Sequence, residues 1–166
     1  VGAVLGALFG GVQWLNTWEV VRDALNFKAS RYGKLDAPLI VAVNAMVTDL
    51  DQIDIMQALF GQETYIFNRN DLDKEVEMRR TPNGFWYGVK GSQHENVAGV
   101  LIGCDLKPWT YGVRKLTLYQ NPWADTEICG PVLNLPRMEP ATDKMNSVTG
   151  VHPKEIIGFP KGYPGV

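Results

Sequence analysis

The sequence predicts an α/β to α+β fold: a single mixed β-sheet of about five or six strands, two main helices and a long irregular C-terminal segment. Three observations predict it. Two stretches with apolar residues at three-to-four spacing flank the uninterrupted apolar run Pro38 to Asn44, the helix, buried strand, helix order of an α/β unit. From Thr64 to Tyr119 the pattern turns into strand-length runs separated by turn signals, as antiparallel strands require. Seven of the ten prolines fall from Asn121 onward, where the missing amide of proline works against ladder pairing.

Residues 1–18 carry no charge, and Val1 to Phe9 is the most apolar run of the chain. Gly2, Gly6, Gly10 and Gly11 interrupt it, and it falls short of the roughly 20 apolar residues of a spanning helix. We therefore expect no membrane insertion. The expectation is a buried segment that a second copy of the chain covers, giving a homo-oligomer through the apolar N-terminus. The sequence begins at Val1 rather than Met, so natural N-terminal residues are expected to precede it. Asn16-Thr-Trp-Glu19 has the form of a capping box, and Trp18, Val21, Leu25 and Ala29 then mark the inner face of a helix ending at Gly33. Lys28 and Arg31 in its last turn suit the helix dipole.

Pro38-Leu-Ile-Val-Ala-Val-Asn44 has the continuous hydrophobicity of a central strand covered on both faces. Asp49, Asp51 and Asp54 open the second helix, which runs through Ile53, Met56, Leu59 and Phe60 to its stop at Gly61. Those acids lack the alternating ligands, central glycine and distal glutamate of a calcium loop, so helix capping accounts for them. Thr64 to Phe67 is strand-like. Arg69 to Arg80 mixes four cations with four acids and reads as a solvated hairpin connection. The turn Thr81-Pro-Asn-Gly84 leads to an aromatic strand, Phe85 to Val89; Val97 to Cys104 reads as a central strand and Val113 to Tyr119 as a half-exposed one. One domain is expected, with an apolar N-terminal segment (1–15), an α/β core (16–119) and a Pro-rich irregular segment (120–166).

With 16 Lys+Arg against 18 Asp+Glu the net charge is −2, so charge gives nucleic-acid binding no support. At 166 residues and 45% hydrophobic, the chain buries roughly 70% of its unfolded surface and needs neither disulfide nor metal to hold a core. Cys104 and Cys129 form no CxxC, which fits a reducing, cytoplasmic compartment. His94 and His152 are far apart and lack neighbouring ligands, so both read as loop histidines. No GxSxG, P-loop or strand-flanked GxGxxG occurs, which removes acyl transfer and nucleotide hydrolysis of those types.

Three candidate sites remain. The strand ending at Cys104 runs into Asp105-Leu-Lys107; an acid and a lysine two apart at a strand end can hold a divalent ion and orient a water, so Asp105 and Lys107 are the catalytic candidates for a metal-dependent nuclease, with Asp71 or Asp73 as the upstream acid. Mg or Mn is expected only on that alternative; otherwise no cofactor is. Asn44, at the carboxyl end of the first strand, marks a cleft where α/β folds bind ligands. Trp86, Trp109 and Trp123 can offer stacking platforms to a small molecule or carbohydrate, Trp109 and Trp123 from proline-flanked loops.

The segments Lys28-Ala-Ser-Arg-Tyr-Gly33, Ala37-Pro-Leu-Ile-Val-Ala-Val-Asn44, Ala58-Leu-Phe-Gly61 and Tyr119-Gln-Asn-Pro-Trp-Ala124 together resemble the C-terminal part of a group of uncharacterised bacterial proteins that look related to the restriction-endonuclease-like fold. The resemblance spans residues 22–124 and implies that the catalytic acids lie upstream of Val1. It then implies that Asp105 and Lys107 are not the catalytic motif, and that this chain is a non-catalytic or vestigial nuclease-like domain acting in ligand or partner binding and self-assembly. The nuclease and the aromatic binding module stand as the alternatives.

Overall fold

A computed structural model describes residues 16–33, 35–47, 50–67, 76–129, 134–142 and 144–163. Self-association through residues 1–15, and the acids Asp71 and Asp73, fall outside the described residues. The main body is a mixed sheet with helices packed on one face: three helices, one five-stranded sheet and two small two-stranded sheets among the described residues.

Helix α1 (Thr17–Ala29) starts at Asn16 and buries the stripe Trp18, Val21, Leu25 and Ala29 that the periodicity marks. Asn16 makes no side-chain cap, however, and the helix ends at Ser30 rather than Gly33. Helix α2 (Gln52–Phe60) stops at Gly61 (φ 99) as expected but starts later than Asp49: Asp51 is the N-cap, its Oδ1 accepting from the Asp54 amide at 2.8 Å. Its buried face is Ile55, Ala58 and Leu59, with Ile53 57% exposed. The last carbonyls of α2 do not face water. The amides of Phe85 and Trp86 donate to Ala58 O and Leu59 O, each at 2.8 Å, supplying the acceptors that a helix end leaves open. This contact explains Gly84. A Cβ there would stand 2.3 Å from the Gly61 amide nitrogen, so only glycine lets the two backbones meet.

The five-stranded sheet has the order β1-β6-β7-β8-β9. Strand β6 (Val97–Cys104) pairs in parallel with β1 (Leu39–Ala45) and antiparallel with β7 (Leu116–Gln120). Strand β8 (Arg137–Pro140) then pairs in parallel with β7, and β9 (Met145–Val148) closes the sheet antiparallel to β8. Short hairpins flank this body, β2 (Glu63–Ile66) with β3 (Glu77–Arg80) and β4 (Tyr87–Gly88) with β5 (Gly91–Ser92). Val41, Val100, Tyr119 and Met138 lie in register across one face, beneath α1 and α2. Burial of such a face is the main source of stability in a two-layer fold.

Two expectations are corrected and a third is refined. Among the described residues the Pro38–Asn44 run is not a central strand covered on both faces: β1 is an edge of the sheet, with Val41, Val43 and Ala45 buried and Ala42 and Asn44 exposed. Its alternation follows the two-residue period of a one-faced strand. The segment 120–166 is mostly irregular among its described residues, as expected, although it also supplies β8, β9 and the short helix α3 (Pro153–Ile157). Pro136 precedes β8 and Pro140 ends it, positions where an absent amide breaks few ladder bonds. The aromatic strand contracts to Tyr87–Gly88, because Phe85 and Trp86 are spent on the end of α2.

Candidate functional site

The carboxyl ends of the parallel pair β1 and β6 form a corner holding Asn44, Asp105 and Lys107. Asn44 Nδ2 donates to Leu106 O and Asn44 Oδ1 accepts from the Leu106 amide, both at 2.9 Å. The side chain is thereby a clamp on the turn after β6, with both of its polar ends used. Asp105 sits at φ 51, a left-handed conformation that acidic residues tolerate better than most. Its carboxylate meets Lys107 Nζ at 2.6 Å and Arg114 Nη2 at 3.3 Å. The hydrogen bond from Lys107 holds the Asp105 carboxyl below the usual carboxylate range, against the opposing effect of desolvation and with help from the charges of Lys107 and Arg114.

The structure thus brings Asp105 and Lys107 together, but as an ion pair completed by a second cation. A divalent ion at Asp105 would have to displace both partners, and among the described residues no three His, Cys, Asp or Glu side chains gather to hold one. The corner is also held from beneath: Thr110 Oγ1 donates to Asp105 O at 2.6 Å and accepts from the Lys107 amide at 2.9 Å. These are the contacts of a closed turn.

The three tryptophans separate. Trp86 is 0% exposed and packs against Phe60 and Phe85, so its ring is core and offers no face to a ligand. Trp109 is 62% exposed on the turn beyond the corner. Trp123 is 38% exposed, with its ring edge-on to Phe60 at 6.0 Å and tilted against Tyr87 at 5.8 Å. Asn121 fixes that position: its Nδ2 donates to Val97 O and its Oδ1 accepts from the Trp123 amide, both at 2.9 Å. The Asn121-Pro-Trp turn is therefore bolted to β6. His94, a loop residue as expected, stacks on Phe85 at 4.4 Å and lies 2.9 Å from Asn26 Oδ1; burial lowers its pKa. His152 accepts from the Lys154 amide at the start of α3.

Trp123 stands at the wall of a groove of about 600 Å³. One side is α2, through Gln52, Met56 and Phe60. The other elements are β3 through Met78 and Arg80, and the β8–β9 hairpin through Met138, Lys144 and Met145. Four of the five methionines of the chain line it. Methionine has three rotatable bonds and a polarisable sulfur, which lets such a surface repack around partners of different shape. The lining contains two ionisable side chains, both cationic. Arg80 is paired with Glu63; Lys144 is exposed and meets no acid among the described residues. The groove escaped the sequence reading apart from Trp123, because its walls come from four separated stretches of chain.

The volume falls within the range of ordinary ligand sites, and the chemistry of the lining is that of binding. It offers apolar area, an aromatic face and positive charge, and among the described residues no set of His, Cys, Asp or Glu gathers there to hold a metal. Comparison with known proteins adds no name to it: the chain matches no protein-family model, no curated protein and no solved structure. No described helix is long and apolar enough to cross a membrane.

Proposed function

We propose that this chain is a binding domain, and that the groove beside α2 is where it takes an apolar ligand or a segment of a partner. The observation that carries this reading is the convergence of Met56, Met78, Met138 and Met145 with Phe60 and Trp123 around one open hollow. Apolar side chains gathered at a concave surface, with few polar groups to fix orientation, are the common makeup of a binding site. The nuclease-like resemblance enters only as a scaffold: the corner at Asp105 is closed by its own ion pairs, and the groove forms at the opposite end of the sheet. The nuclease alternative has one favourable observation, the adjacency of Asp105 and Lys107. It would need a second acid beside Asp105 and the release of both cationic partners.

The test uses Nile red, an uncharged apolar probe whose emission rises in a dry site. The expected result is a saturable rise with the unmodified chain, unchanged by chelator and lost in Met78→Glu, a substitution at a half-exposed position. Equal emission from the two proteins would overturn the assignment of the groove. Mn²⁺-dependent cleavage of DNA that disappears in Asp105→Ala would restore the nuclease reading.

A further inference from the structure

We propose that the occupant of the groove is an amphipathic helix from another protein, carrying acidic residues beside its apolar stripe. This proposal rests on the binding reading above and names the partner. It is argued from the gap in the helical layer, the shape of the apolar surface and the charge of its rim.

The two long helices share one face of the sheet. Helix α1 packs on β1 and on α2, and α2 lies next, with Tyr119 of β7 donating to Gln52 Oε1 at 3.1 Å. The same face continues over β8 and β9 through Met138, but no described helix packs broadly on those strands. The groove occupies that place, with α2 as its wall and Met138 and Met145 within it. A helix laid there would extend the layer and cover the sheet as two-layer folds require. Helix-in-groove recognition inserts anchors at i, i+3, i+4 and i+7 into such a surface, and flexible methionines accept them readily.

The apolar surface does not end at the groove. In the β2–β3 hairpin Glu63 faces Arg80 and Tyr65 faces Met78, and residues alternate sides along each strand. Glu63, Tyr65, Met78 and Arg80 therefore share one side, which Phe67 and Val76 continue, while Thr64, Ile66, Glu77 and Arg79 take the other. Tyr65, Phe67, Val76 and Met78 are all exposed, Phe67 by 69%. A two-stranded hairpin is marginal by itself, and this one keeps its apolar side uncovered among the described residues. From Arg80 to Val76 it adds roughly 13 Å of surface, which about nine further helical residues would cover.

Charge selects the partner. Among the described residues, Arg80 and Lys144 are the ionisable groups of the lining. A second copy docked groove to groove would set these cations against each other. Acids flanking the apolar stripe of a helix would instead meet Lys144, which lacks an acidic partner among the described residues, and like-charge rejection would exclude basic helices.

The experiment is selection on the folded chain from a displayed library of short helices. These have leucine at i, i+3, i+4 and i+7, with the flanking positions drawn from Glu, Lys, Gln and Ala. Enrichment of Glu at the flanks is expected, with the consensus peptide binding in fluorescence anisotropy. Lys144→Glu should weaken it about three- to tenfold, and Met78→Glu or a central proline in the peptide should remove binding. Each of four results would overturn the proposal: no enriched peptide, Lys-rich or charge-indifferent flanks, indifference to Lys144, or tolerance of the proline. The Nile red titration separates the two levels of argument. A rise lost in Met78→Glu without peptide enrichment leaves the binding groove standing and removes the acidic helix. Failure of both removes both.

Discussion

The sheet is finished differently at its two ends. At the carboxyl ends of β1 and β6, the side chains that looked chemical are paired within the chain: Asn44 is spent on Leu106, and Asp105 on Lys107 and Arg114, although Arg114 Nε stays buried without a partner among the described residues. At β8 and β9 the reverse holds, with methionines and Trp123 left around an open groove and Lys144 without an acid among the described residues. Residues that look chemical in sequence are here used to close a turn. Residues that look like ordinary core are the ones left for a partner. Saturated hydrogen bonding marks a finished structure, whereas uncovered apolar area marks an unfinished one.

Substitutions can break either end selectively. The largest effect is expected at Gly84, which joins α2, one wall of the groove, to the segment that caps it. Gly84→Ala forces a Cβ against the Gly61 backbone and should cost about 3 kcal/mol in urea unfolding, weakening Nile red binding with it. Next is Tyr119, beneath α2, whose pKa burial raises to about 12. The unfolded phenol ionises near pH 10 while the folded one stays neutral. Stability is therefore full below about pH 10 and falls as the pH climbs toward 12, by about 2 to 3 kcal/mol. Tyr119→Phe should flatten that alkaline limb in denaturation curves.

At the closed corner, Asn44→Ala removes two hydrogen bonds from the Leu106 backbone and should cost about 1 to 2 kcal/mol. Nile red binding should be untouched, and a loss of binding there would erase the contrast between the two ends. Asp105→Asn tests the ion pairs through pH. Because the folded carboxyl is held below its ordinary value, the ion pair stabilises the fold above the unfolded carboxylate pKa and is lost as pH falls through the folded one. The variant should be less stable than the parent at pH 7 and lose less on acidification. The smallest effect on stability belongs to Lys144→Glu, within about 0.5 kcal/mol at an exposed turn, although it should weaken an acidic peptide.

The legible parts of the fold are those whose signal is local. The stripe Trp18, Val21, Leu25, Ala29 and the stop of α2 at Gly61 could be read directly, because a helix repeats within a few residues, whereas the choice of Asp51 among three nearby acids as the cap could not. Strand β6 could be read from its unbroken hydrophobicity. Strands β8 and β9 could not: Arg137-Met-Glu-Pro140 and Met145-Asn-Ser-Val148 carry no run of β-formers, and they become strands because β7 already offers a template. Asp105 and Lys107 were visible as a pair, yet Arg114, which completes their neutralisation, lies nine residues from Asp105 in a turn. Trp123 was visible as an aromatic on a loop and Trp86 as one on a strand, but sequence position alone does not separate the half-exposed ring from the one that is wholly core.

By itself the sequence determined the class of fold and the two long helices, since composition and short-range periodicity carry these. Only the tertiary structure decided that Asp105 is already neutralised and that four methionines from separate stretches meet beside Trp123. Both outcomes depend on contacts between residues distant in the chain, which the sheet brings together and which no local pattern encodes.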